Sequence, residues 1–176
     1  GPERMARADR SSDVLATTGV HIGGTDSDRR LSLDLLMPLL GFRHIGPLGR
    51  EVPSRVFFDL STWHLIQWLY SPRALRDAQN LRTDYVDAAL HARLMRVLNE
   101  RLGHRLANTV EQAKIAASLA DAEAPMPLDW VEAGLSAAVT PPGLAQSLAQ
   151  PLDQVVTCAR NCLQLAGLDD GGVDAI

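Results

Sequence analysis

No stretch of this 176-residue chain approaches the ~18 consecutive apolar residues that a membrane-spanning helix needs. Residues 1–20 are polar and hold no apolar core of a secretory signal. A cytoplasmic location is therefore expected, for this chain or for a longer cytoplasmic parent. Basic runs are missing too. With 17 Lys and Arg against 21 Asp and Glu the net charge is -4, which argues against a nucleic-acid partner, whose phosphates call for a cationic face. Cysteine is scarce. Cys158 and Cys162 stand four apart on a predicted helix, a geometry too strained for a disulfide. Two thiols are also too few to close a zinc site, so buried reduced thiols are expected. The five histidines are scattered, with no H-x-x-x-H among them. The phosphate loops G-x-x-x-x-G-K-S/T and G-x-G-x-x-G are absent, as are the G-x-S-x-G elbow and H-E-x-x-H. Gly23-Gly24 alone is too short to cradle a phosphate, and no pair of carboxylates is spaced for acid–base work. No catalytic residue and no metal ligand is assigned.

What is present suits a globular domain. The chain is 46% hydrophobic and 22% charged, and it is long enough for a real core. Val14–Thr17 and Val20–Ile22 read as short strands ending at Gly23-Gly24. Thr25 then caps a helix in which Leu31, Leu35 and Leu39 recur at fourfold spacing beside Leu36 and Leu40. Pro38 should bend or end it, and Gly41 stop it. Residues 42–58 look irregular, with a short strand possible at "RVFF". Ser61 caps the apolar run "TWHLIQWLY", Ser71-Pro72 starts a further helix, and Thr83 caps a long one whose apolar face is Val86, Leu90, Leu94, Val97 and Leu98. A helix through "HRLANTVEQAKIAASLA" ends at Pro125 and Pro127. Trp130-Val131 and Ala138-Val139 read as a hairpin around Gly134. Pro141-Pro142 opens a last helix, in which Pro151 predicts a kink or break. The tail "DDGGVDAI" resembles the start of a strand, as if the chain were cut there. The expected class is α+β, helix-rich with a small antiparallel sheet.

Within "TVEQAKIAASLA", residues 109–120, three polar residues interrupt the helix. At about 100° per residue, Glu111, Lys114 and Ser118 share one narrow stripe, while Ala113, Ala116 and Ala117 occupy the other faces. The stripe is either a solvated ion pair worth roughly 0.2–0.5 kcal/mol or a row facing a ligand. Spacing alone does not separate the two.

The order of pieces adds a resemblance. "GVHIGGTDSDRRL" supplies Gly23, Gly24, Asp26 and Asp28 in a G-G-x-D-x-D segment. "EQAKIAAS" supplies Glu111, Ala113, Lys114 and Ser118 in an E-x-A-K-x-x-x-S helix. A hairpin and a helix follow. This resembles the nucleotide-binding domain of DnaK-type heat-shock chaperones, members of the actin-like ATPase superfamily. "IGGTDSD", "LMPLLG" and "AKIA" together are similar to the YegD-like branch. The resemblance implies a fragment of the second lobe: a strand segment over 1–24, an outer subdomain over 25–140 and a helix returning to the lobe base over 141–176. Residues 42–104 form a family-specific insertion. It implies ATP or ADP with magnesium as ligands of the full-length parent, and none bound to the fragment alone. Glu111 and Lys114 would meet the ribose and Ser118 the adenine edge. Ile115 stands where the main family carries a basic residue that stacks on adenine, and offers apolar contact instead.

The family's outer subdomain also docks exchange factors, so a co-chaperone and unfolded polypeptide are implied partners of a stress-response chaperone. A degenerate lobe serving as an adaptor is the other reading. Trp63, Trp68 and Tyr70 in the insertion are expected to be its core or an exposed partner site. Self-association through the last helix, whose apolar face would be partly bare, or through the broken strand edge is also expected.

Overall fold

The structure, a computed structural model, describes residues 13–173. It is helix-rich with one two-stranded antiparallel sheet, the α+β arrangement expected. Contacts divide it into two units, Gly23–Leu148 and, among the described residues, 13–22 with 149–173. Among the described residues no helix is long and apolar enough to cross a membrane.

Helix α1 spans Gly24–Leu31 and is capped by Gly23 rather than Thr25. Asp26 decides this: its carboxylate accepts the Gly23 N–H at 2.8 Å at the positive end of the helix dipole. The helix then loosens into a π-turn over Ser32–Leu36 and a 3-10 turn over Met37–Leu40. Pro38 accounts for the change, since it has no N–H and its ring crowds the preceding turn. Gly41 stops the chain with φ 107°. Leu31, Leu36 and Leu40 are buried, with Leu35 and Leu39 packed against them.

Arg55–Leu60 is helix α2, not a strand. Helical spacing places Phe57 and Leu60 together in the core, and no strand among the described residues pairs with the segment. Ser61 closes this helix instead of opening the next, because its hydroxyl donates back to the Phe58 carbonyl at 3.0 Å. "TWHLIQWLY" consequently forms turns and a short 3-10 stretch, Ile66–Tyr70. Ile66 and Leu69 are buried, but Trp63 and Trp68 are 58% and 68% exposed. The core role considered for these tryptophans does not hold. Tyr70 is half-buried, and its hydroxyl accepts the Gly103 N–H at 3.0 Å.

Helix α3, Pro72–Asn80, starts as predicted, with the Ser71 side chain accepting the Ala74 N–H. Helix α4, Ala88–Asn99, is capped by Asp87, later than Thr83. The intervening Tyr85 is pulled out of helical path into the core, where its hydroxyl donates to the Leu40 carbonyl at 2.9 Å. Val86 is left 65% exposed, off the apolar face formed by Leu94, Val97 and Leu98. After a left-handed residue at Arg101, helix α5 covers Gly103–Ala120.

Strand β1 is Ala124–Pro127, not Trp130-Val131, and pairs with β2, Ser136–Val139. Val131 instead turns inward to the core. Two prolines fit a strand here because of the ladder's alternation. The Leu128 N–H bonds the Leu135 carbonyl at 2.9 Å. Met126 and Ala124 therefore also face β2, and the Pro125 and Pro127 nitrogens point away from it, where no donor is required.

Arg93 on α4 grips Glu132 with two hydrogen bonds, 2.6 and 2.8 Å long. These bonds, with the guanidinium charge, hold the Glu132 carboxyl below its ordinary value of 4.5, and they raise the Arg93 pKa. A lowered folded pKa stabilises the protein above the unfolded value, and that gain is lost as pH falls through the folded one. Urea midpoints should therefore drop on acidification below the ordinary carboxylate range, and drop less in Glu132→Gln. Equal drops in both proteins would remove this pair from the acid response.

Helix α6, Pro141–Ala166, carries Pro151 in its interior without a break. Leu152, Val155 and Val156 on it are 57%, 43% and 43% exposed. Cys158 and Cys162 are free thiols but only half-buried, because this stretch of helix has little packed over it. Residues 14–22 form no strand; Val14, Leu15 and Val20 are exposed, and no strand among the described residues supplies a ladder. The polar opening before residue 13 and the tail past Val173 lie outside the described residues.

Candidate functional site

Helices α1 and α5 pack against each other and bring the two quoted segments together. Asp28 Oδ1 lies 2.7 Å from Lys114 Nζ, with the side chains only 22% and 20% exposed. That oxygen is buried and has no aligned hydrogen-bond donor, so the contact is one of charge. A Glu111–Lys114 pair does not form. Glu111 makes no ion pair or hydrogen bond with any described residue, and its carboxylate is exposed.

The predicted row is divided between two depressions. Glu111 lines a cavity of about 400 Å³ together with Asp26, Asp28, Trp63, His104 and Asn108. Lys114, Ile115 and Ser118 line a more open depression of about 340 Å³ with Ser27, Leu119 and Leu144. Ala113 and Ala117 are buried beneath, while Ala116 is exposed. The first cavity contains residues that sequence reasoning missed. His104, Asn108 and Glu111 stand four and three apart on α5, one helical face, and that spacing was available to find them. Trp63 and His64 had no such signal. They reach the cavity because Arg29 on α1 ties down the turn after α2: its Nε donates to Thr62 Oγ1 at 3.1 Å, and its guanidinium lies 5.7 Å from the centre of the Phe58 ring.

The charges in this cavity are unevenly committed. Arg29 is engaged as described, Asp28 is neutralised by Lys114, and Asp26 caps α1. Glu111 remains as a free acceptor. With Asp28 matched by Lys114, Asp26 and Glu111 still outnumber Arg29 on the lining, so the cavity favours hydroxyl or amino donors over phosphate. No protein-family model matches the chain, and no solved structure matches it.

Proposed function

We propose that the chain supplies the adenosine-binding wall of the ATP-binding domain of a heat-shock-type chaperone. One observation carries this reading. The two segments that bear the resemblance, far apart in sequence, meet through Asp28 and Lys114 at 2.7 Å, beside a cavity large enough for a nucleoside. Glu111 accepts from a ribose hydroxyl. Lys114 lines the neighbouring depression, 2.7 Å from Asp28 on the cavity wall, and is the proposed donor to the other. Ile115 and Ser118 border the neighbouring depression, where the resemblance puts the base. Among the described residues no group of three or more His, Cys, Asp or Glu is placed to hold a metal, so no step is routed through magnesium here.

Titration calorimetry of the chain with ADP tests the reading. Weak binding is expected, because the cavity is lined wholly from within Gly23–Leu148, although the resemblance implies none for the fragment alone. Glu111→Ala should weaken it about tenfold, the loss of one charged hydrogen bond at an exposed site. Absence of binding up to millimolar ADP would sink it. The adaptor reading would then stand on the exposed Trp63 and Trp68 in the insertion.

A further inference from the structure

The base has two places to go on either side of the Asp28–Lys114 contact. On one side, Ile115 offers a small aliphatic surface, 41% exposed. On the other, Trp63 offers an indole, 58% exposed, with His64 edge-on at 5.5 Å, in the same cavity as the free carboxylate of Glu111. Resting on the adenosine-wall reading, we propose that Trp63 is the base-stacking residue of this site and that the cavity selects the nucleoside, not its phosphates.

Three features support this. A flat purine gains far more from an indole face than from a branched aliphatic group. Glu111 and Asn108 stand one turn apart on α5, so both reach the same lining, where an acceptor for a ribose hydroxyl and an amide for a base edge are available. The carboxylate excess on the lining opposes a polyphosphate inside, so phosphates must project out of the cavity. The insertion thus replaces, from another element, the stacking that Ile115 cannot provide.

The experiment is calorimetry of the chain with adenosine, ADP and ATP, on wild type, Trp63→Leu, Trp63→Phe and Ile115→Asp. Trp63 is exposed, and circular dichroism melting checks that each variant folds. Wild type should bind all three ligands within about threefold of one another. Trp63→Leu should weaken all three about tenfold or more, and Trp63→Phe should recover most of that. Ile115→Asp should weaken binding distinctly less than Trp63→Leu does. If Trp63→Leu binds as wild type does while Ile115→Asp binds weakly, the base lies over Ile115 and the stacking proposal fails while the adenosine wall stands. If ATP binds more than about tenfold tighter than adenosine, nucleoside selection fails. If wild type binds none of the three, the adenosine wall itself fails and takes this proposal with it.

Discussion

Replacing Gly41 with alanine is expected to cost about 2–6 kcal/mol of folding stability, from two costs that add. The first is backbone strain. Gly41 has φ 107°, where an L side chain is strained by ~1–3 kcal/mol. The second is overlap. A Cβ at this position would lie 2.2 Å from Tyr85 Cε1, so one of the two must move. Tyr85 is poorly placed to give way. It is 3% exposed, it donates to the Leu40 carbonyl at 2.9 Å, and its ring meets His91 at 5.1 Å and His44 at 5.8 Å. Burial also drives its phenol pKa well upward, so it stays a donor at any ordinary pH. Displacing it adds ~1–3 kcal/mol. Urea unfolding measures the sum. In a Tyr85→Ala background the overlap disappears and the strain remains, so the same substitution should cost distinctly less there. Equal costs in the two backgrounds would disprove the steric part.

Lys114→Met should cost about 2–4 kcal/mol, far more than loss of an exposed charge. As one member of a solvated stripe, Lys114 would be nearly free to remove. The structure changes that expectation, because about four-fifths of the Asp28 side chain is covered and its inner oxygen faces Lys114. Deleting the ammonium strands a carboxylate that water reaches poorly. Asp28→Asn with Lys114→Met should recover most of the loss, since neither charge is then left alone. Thermal melts of wild type, both single variants and the double variant give the coupling directly. A coupling near zero would reduce the contact to surface decoration.

Much of the fold was legible where a pattern repeats over several turns. The Leu31–Leu40 face, the Ser71-Pro72 start and the helices through Gly103–Ala120 and from Pro141 all formed as periodicity and capping chemistry predict. Short windows were misread for a physical reason. Arg55–Leu60 is rich in strand-prone residues, but burial of Phe57 and Leu60 on one helical face overrides local preference. Pro125 and Pro127 do end helical potential, yet alternation in the ladder lets them sit in a strand. The site was half legible. One helix's spacing sufficed to put Glu111, Lys114 and Ser118 on a stripe. It could not show that Asp28 claims Lys114, or that a turn held by Arg29 and Thr62 brings Trp63 to Glu111. Those are tertiary contacts between distant segments, with no local signature.

The proline pair in β1 has a consequence for how this sheet could grow. The outer rim of Ala124–Pro127 presents carbonyls but, at Pro125 and Pro127, no N–H at all. An incoming strand needs both donors and acceptors in alternation, so that rim cannot template another chain. Any strand addition, whether by a peptide ligand or in amyloid-like stacking, is confined to the Ser136–Val139 rim. The hairpin is thus asymmetric: sealed on one side by covalent chemistry, with the alternation of donors and acceptors kept only on the other.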